Sequence, residues 1–329
     1  MSNRSIHTLL KNWDEECPLT REEAVEVLNL PEEEMDSLME CAYALRTKYK
    51  GKKVSVQLLT NVRSGNCTQN CAYCAQSKDS QAEIEKYKRV SDEKLYGDND
   101  LVDEKHLARH CIGLSGIGFS DEEIEDLADR IREMKKKDTQ ICCSIGFLTE
   151  KQARILKDAG LDRINHNLNS SRSFYPEICT THTYDQRVNN IKMLQSLGFE
   201  ICSGGIVGMG ESKEDVVDML LDLKEINPEA LPINFLIPIK GTPLQDRDTS
   251  NLTPEYCLKV LCLARLMVPT SDIRCAAGRE IYFKGREKEL LTVVNSIFAS
   301  GYLTADGQGI QDTIKTITDA GFTCEVESD

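Results

Sequence analysis

Hydrophobic and polar positions along this 329-residue chain switch repeatedly between a strand period and a helix period. Short apolar or β-branched runs, such as KVSVQLLT (53–60), HCIGLSG (110–116) and TQICCSIG (139–146), predict strands. A segment with helical spacing follows each run, for example DEEIEDLADRIREMKKK. About eight such strand–helix units predict a TIM-type (β/α)8 barrel, with NSIFAS (295–300) as its last strand.

Two end segments lie outside the barrel pattern. Helical spacing before residue 50, with Pro31 at a possible second helix start, predicts an N-terminal helical extension over 1–49. The barrel is then expected to span 50–308, and a C-terminal helix and tail 309–329. Within the barrel, the polar stretch 80–104 is interpreted as an insertion over the site or a partly mobile segment.

The composition narrows the function classes. A net charge of −14 disfavours binding to nucleic acid or to an anionic membrane surface. The first 18 residues, MSNRSIHTLLKNWDEECP, contain no long apolar run, so we expect neither a signal peptide nor a membrane span, and a cytoplasmic location. The 14 cysteines are then expected to bind metal or perform redox chemistry rather than form disulfides.

The loop GNCTQNCAYCAQS, directly after the first predicted strand, holds Cys67, Cys71 and Cys74 in a Cys-x3-Cys-x2-Cys spacing. Four cysteines usually hold a 4Fe-4S cluster, so three leave one iron open to a small molecule. A zinc site is the alternative, but zinc ligands normally include a second cysteine pair or nearby histidines, and this loop is followed by neither. The spacing therefore favours a cluster with an open iron.

This loop, with Tyr73 before the third cysteine, resembles that of the radical S-adenosylmethionine superfamily. The resemblance implies that the methionyl amine and carboxylate bind the open iron. It also implies that the reduced cluster cleaves the sulfonium, which releases a 5′-deoxyadenosyl radical that abstracts hydrogen from an unreactive carbon.

From about residue 50 to 305, further blocks resemble the biotin synthase family: AGLDRINHNLNSS, ICSGGIVGMGE, LPINFLIPIKGTPL, ARLMVPTSDIR and AAGRE. The resemblance implies insertion of sulfur into dethiobiotin, with the sulfur supplied by an auxiliary iron–sulfur cluster. In that family the auxiliary cluster is 2Fe-2S, and the matching ligand positions are Cys111, Cys142, Cys202 and Arg274.

The resemblance also implies contacts with cofactor and substrate. The positions that match the cofactor contacts are Tyr73, Asn167, Asn169, Arg187, Gly204, Gly205 and Ile206. Those that match the substrate contacts are Asn165, Asn167 and Asn234.

Three features depart from the family pattern. Cys275 follows Arg274, as Cys143 follows Cys142, and adjacent strand residues point to opposite faces. Because a thiolate is a better iron ligand than a guanidinium, Cys275, turned inward by a bulge, is an alternative fourth ligand of a larger, 4Fe-type auxiliary cluster. Asn169 replaces an aspartate that contacts the ribose, and His182 replaces an arginine.

Two other functions remain open at this point. A related radical enzyme, either a mutase or a maturase for a metal cofactor, would share the barrel and the loop; a non-catalytic iron–sulfur carrier or zinc module would need no nucleotide pocket. The expected partners are a flavodoxin or ferredoxin electron donor and iron–sulfur assembly proteins. The resemblance further implies a homodimer.

Overall fold

A closed barrel of parallel strands forms the centre of the computed structural model, which describes residues 19–299, 303 and 307–324. The strands of the barrel are β1 (Lys53–Arg63), β2 (Arg109–Leu114), β3 (Ile141–Ser144), β4 (Arg163–Asn165), β5 (Glu200–Cys202), β6 (Gly205–Val207), β7 (Ala230–Phe235), β8 (Asp272–Cys275) and β9 (Ser296–Ala299). All pairings are parallel and follow the order β1-β2-β3-β4-β5-β7-β8-β9, with β6 also paired to β7, and β9 returns to pair with β1. The predicted TIM-type barrel is confirmed.

One barrel position is shared by two short strands. The run FEICSGGIVG holds both of them, because the strand is interrupted between Cys202 and Gly205. β5 pairs mainly with β4, whereas β6 pairs with β7. With β5 and β6 counted as one position, the barrel has eight positions.

Helices surround the barrel: α1 (Arg21–Leu28), α2 (Met35–Lys50), α3 (Asp92–Glu104), α4 (Asp121–Met134), α5 (Glu150–Asp158), α6 (Tyr175–Ile178), α7 (Tyr184–Ser196), α8 (Lys213–Ile226), α9 (Pro254–Met267), α10 (Arg279–Tyr282), α11 (Glu287–Val293) and α12 (Ile310–Asp319). Most of the longer helices begin where a serine or threonine hydroxyl accepts a backbone N–H bond, as Ser120 does from Glu123. Such caps fix where each helix starts after its strand. None of the described helices is both long and apolar enough to cross a bilayer.

The interpretation of 80–104 as an insertion over the site is wrong for its second half. Residues 92–104 form α3, capped by Ser91, which packs on β1 and β2 as the first helix of the barrel. Only Leu95, Asn99 and Val102 are buried in α3, so its apolar stripe is too narrow to be recognised in the sequence.

The two end segments pack on the outside of the barrel. In the N-terminal segment, of which residues 1–18 lie outside the described part, α2 contacts α9 and α11. At the other end, α12 leads to β10 (Thr323–Cys324), which pairs with β1 at Lys53 and Val54. β1 therefore has a partner from the C-terminal segment as well as from the barrel.

Candidate active site

A cavity of about 390 Å³ opens at the carboxyl ends of the barrel strands and extends into the barrel. Catalytic groups of parallel barrels lie at this end, because the strand ends and the following loops converge there. Most of the predicted site residues line it: Cys67, Cys71, Tyr73, Cys74, Cys111, Cys142, Asn165, Asn167, Asn169, Arg187, Ile206 and Asn234. Cys202 and Arg274 lie directly behind Cys142 in the barrel interior.

The cysteine loop turns sharply at the end of β1. Gly65 and Asn66 have φ of 73° and 54°, which glycine and asparagine adopt most readily. The side chain of Gln76 accepts from the N–H of Gly65 at 2.8 Å, and Ser115 donates to the Gly65 carbonyl at 2.6 Å. These bonds direct the three thiols of the loop towards the cavity.

Cys71 lies next to a cysteine to which the sequence analysis gave no role. Its Sγ is 3.8 Å from that of Cys179, which is 3.3 Å from Nδ1 of His182. Contact with Cys179, together with burial, raises the pKa of the Cys71 thiol in the cluster-free chain. The only signal for Cys179 in the sequence was its position just before the Thr-Thr-His-Thr run that departs from the family pattern.

Arg187 lies partly buried beside this group and donates three hydrogen bonds to protein partners. Its Nε donates to Tyr175 Oη at 2.6 Å, Nη1 to the carbonyl of Asn167 at 3.0 Å and Nη2 to His182 Nε2 at 2.8 Å. A guanidinium has five N–H groups, so these three bonds to described residues leave two for an anionic ligand. His182 thus contacts both Arg187 and, through Gln69 Oε1 at 2.9 Å, the cysteine loop.

Three asparagines of the cavity wall are held by hydrogen bonds with the backbone. Asn169 has φ of 73°, and its backbone bonds to Gly204 and Ile206. Asn167 Oδ1 accepts from the N–H of Gly204 at 3.1 Å, and Asn234 bridges Ala277 and Gly205, each at 3.1 Å. The amide of Asn234 therefore has protein partners, which fix its orientation at the cavity wall.

Close packing of the barrel wall explains why residues 204 and 205 are glycines better than access for a ligand does. A Cβ on Gly204 would lie 1.8 Å from the carbonyl oxygen of Pro232, and one on Gly205 would lie 2.1 Å from Met219 Sδ. Neither glycine lines the cavity. The contacts that exclude a Cβ are with neighbouring protein, and the expected approach of both glycines to a cofactor stays a prediction.

Three cysteines meet in the barrel interior. Cys111 and Cys142 are paired in the β2–β3 register, and with Cys202 they form a small buried cluster closed by Ala230, Ala276 and Phe298. Contact with a neighbouring thiol, together with burial, raises the pKa of Cys142 to about 12 and raises that of Cys202 as well. A metal that binds here must displace these protons.

Arg274 faces the same interior. Its Nη1 is 3.7 Å from Cys202 Sγ, and its Nε donates to Ser296 Oγ at 2.9 Å. Nη2 is buried without a hydrogen-bond partner in the part of the chain that the structure describes. Three thiols and an incompletely bonded guanidinium around one buried space fit an iron–sulfur cluster, for which soft thiolate donors are selective.

Cys275 and Cys143 lie on the other side of their strands. Both belong to the large apolar core between barrel and helices, which is separate from the interior cluster. β8 pairs with β7 at consecutive positions, Arg274 with Pro232 and Cys275 with Ile233. The strand therefore runs regularly through Cys275, and the bulge considered in the sequence analysis is not formed.

The chain has similar proteins in both sequence and structure comparisons. The Radical SAM superfamily model matches residues 61–223, and that of the Biotin and Thiamin Synthesis associated domain matches 232–323. Biotin synthase of Geobacillus kaustophilus is 42% identical over 308 residues, covering 93% of this chain and 92% of that protein. Biotin synthase of Bacillus subtilis is 41% identical over 311 residues, covering 94% and 92%.

Two solved structures share the fold at low identity. Methylornithine synthase superposes with a TM-score of 0.84 at 18% identity, covering 98% of this chain and 97% of that one. The FeFe-hydrogenase maturase from Carboxydothermus hydrogenoformans also reaches 0.84, at 17% identity, covering 98% and 80%. Both likenesses concern the fold alone.

Proposed function

Since the chain belongs to the biotin synthase family of radical S-adenosylmethionine enzymes, we propose that its barrel converts dethiobiotin to biotin by inserting sulfur between two saturated carbons. The observation that carries the proposal is the placement of two cysteine sets on one cavity. Cys67, Cys71 and Cys74 lie at the mouth, and Cys111 and Cys142 lie deeper, with Cys202 behind them. A substrate between the two sets would be reached from both sides.

The loop cysteines would hold a 4Fe-4S cluster, which with S-adenosylmethionine supplies a carbon-centred radical. Arg187, which donates three of its five N–H groups to described protein partners, would bind the methionyl carboxylate with the others. Tyr73, Asn167, Asn169, Gly204, Gly205 and Ile206 are assigned to the remainder of the cofactor. Gly204 and Gly205 would contribute backbone only, because a Cβ at either position would overlap Pro232 or Met219.

Asn165, Asn167 and Asn234 would hold the substrate. Asn165 donates to Cys202 Sγ at 3.4 Å, so it lies between the substrate space and the interior cysteines. The largely apolar walls around them, including Ile206, Phe235 and Phe298, exclude water from a reactive radical.

Cys111, Cys142, Cys202 and Arg274 would hold the auxiliary cluster that supplies the sulfur. The contact of Arg274 with Cys202 supports Arg274 as the fourth ligand, and the burial of Cys275 among the helices disfavours a thiolate in that role. Such a ligand set is that of the family's 2Fe-2S cluster.

The remaining assignments rest on the family resemblance and on the sequence expectations. Reduction of the loop cluster requires a small low-potential donor of the flavodoxin or ferredoxin class, and loading of both clusters requires iron–sulfur assembly proteins. The enzyme would act in the cytoplasm as a homodimer.

The test is to load the protein with iron and sulfide without oxygen, add dithionite, S-adenosylmethionine and dethiobiotin, and quantify 5′-deoxyadenosine and biotin by mass spectrometry. Both products are expected, and neither from Cys67→Ala. Deoxyadenosine without biotin would favour a related radical enzyme with another substrate. Neither product from a cluster-loaded preparation would overturn the proposal.

A further inference from the structure

Cys179 and His182 form a pair beside the cluster loop that none of the assignments above uses. We propose that Cys179, oriented by His182, donates a hydrogen bond to the Cys71 thiolate and so sets the reduction potential of the cluster that Cys67, Cys71 and Cys74 hold. The inference rests on the proposed cluster loop, but not on the identity of the substrate. Cys179 acts through Cys71, which makes it a positioning residue.

The two cysteines are held together by backbone bonds. Ala72 N donates to the carbonyl of Ile178 at 2.9 Å, one residue along from each cysteine. Asn70 Oδ1 accepts from the N–H groups of Thr180 and Thr181, at 3.0 and 3.2 Å. The segment that carries Cys179 is thus fastened to the loop on both sides of the contact, so the 3.8 Å between the two sulfurs is fixed by the fold.

Arg187 determines which way the proton on His182 points. A guanidinium only donates, so the bond from Arg187 Nη2 requires Nε2 of His182 to accept. A neutral imidazole then carries its proton on Nδ1, which faces Gln69 Oε1 at 2.9 Å and Cys179 Sγ at 3.3 Å. An arginine at position 182 could not accept this bond, so the arrangement depends on the histidine.

The proton between the sulfurs must come from Cys179 once the cluster is present. A thiol that coordinates a metal is deprotonated, so iron-bound Cys71 can only accept. The Nδ1–H of His182 is shared between Gln69 Oε1, which is the nearer acceptor, and Cys179 Sγ. The negative charge on an iron-bound Cys71 disfavours ionisation of the neighbouring Cys179 thiol, so its S–H is available to Cys71. The order of donation is therefore from His182 to Cys179 and from Cys179 to Cys71.

A hydrogen bond to a cluster thiolate stabilises the reduced state, which carries more negative charge on its sulfurs. Hydrogen bonds to the sulfurs are among the factors that set the potentials of such clusters. Removing the bond should make the cluster harder to reduce, and the donor protein would then deliver an electron to a smaller fraction of the enzyme.

The test is a redox titration of the anaerobic, cluster-loaded enzyme, followed by electron paramagnetic resonance of the reduced 4Fe-4S cluster without substrate. Cys179→Ala is expected to shift the midpoint potential to a more negative value. Cys179→Ser, which keeps a donor, should restore it to the original value or above. Cys262→Ala is the matched control, because Cys262 is also buried but contacts Met39 in the helical layer. The midpoint potential of the cluster should be unchanged in this variant.

If Cys179→Ala does not load its cluster, Cys179→Val provides the same comparison with a side chain nearer in size. An unchanged potential in the variant without a donor, equal potentials for the alanine and serine variants, or an equal shift in the control would overturn the inference. Biotin formation without a shift would leave the proposed function intact, whereas a shift without biotin formation would support the inference and contradict the proposed function.

Discussion

Replacing Cys275 by alanine tests which face of β8 carries the ligand of the auxiliary cluster. Cys275 is fully buried on the side that packs against the helices, whereas the neighbouring Arg274 contacts Cys202 in the barrel interior. The substitution removes one buried sulfur and leaves a small cavity. Its expected cost is about 1 to 1.5 kcal/mol of unfolding free energy, as for a buried methylene plus incomplete collapse.

A loss of that size should lower the melting temperature by about 2 to 3 °C, because the melting temperature of a large domain changes by only a few degrees per kcal/mol. The auxiliary cluster should be retained in full. The assay is iron and sulfide analysis of anaerobically loaded protein, with visible spectra and a thermal melt of the same samples.

Two further variants make the comparison sharp. Cys143→Ala deletes the equivalent outward thiol of β3 and should behave like Cys275→Ala. Cys202→Ala deletes an inward thiol and should lose the auxiliary iron and sulfide. The reasoning is refuted if Cys275→Ala loses that cluster while Cys143→Ala keeps it.

Three other predictions concern separate parts of the chain. Burial lowers the pKa of His110 to about 4, below the unfolded 6.5, so its contribution to stability is complete above pH 6.5 and is lost as the pH falls towards 4. In urea unfolding of the reduced, cluster-free protein, the free energy of unfolding should fall by about 2 kcal/mol between pH 6.5 and pH 5. His110→Gln should lack this fall, and an equal fall in the two proteins would contradict the prediction. Gly204→Ala should lower the free energy of unfolding, derived from thermal melts, by about 3 kcal/mol or more, because its Cβ would overlap the Pro232 carbonyl. Gly97→Ala is the control: the space around residue 97 in α3 is open, so this variant should raise stability by up to about 1 kcal/mol. Asn169→Asp should lower the Kd for S-adenosylmethionine roughly 5-fold in anaerobic equilibrium dialysis, because the carboxylate adds one charged hydrogen bond to the ribose. Weaker binding by this variant would exclude the ribose contact.

The barrel could be predicted from the sequence because its signals are local. Each strand run and each helix period lies within about fifteen residues, and the order of the units is the order of the strands. α3 was not predicted, because its few buried positions give no helical period that can be recognised locally.

Placement of the cysteines was only partly predictable. Strand alternation requires that Cys142 and Cys143 face opposite sides, but alternation alone does not say which one faces inward. The neighbours of Cys179 could not be predicted at all, because Cys71 is 108 residues away and only the folded barrel brings the two together. Tertiary contacts of this kind leave no period in the sequence.

The pairing of β1 with β9 and β10 has a consequence for how the barrel closes. β1 is the first barrel strand in chain order, but its partners at Ser296 and Thr323 lie about 240 and 270 residues further along the chain. The ring therefore closes only through contacts of very long sequence separation, which form slowly because a large loop must be ordered first. Until they form, the cysteine loop that follows β1 lies beside an open sheet edge.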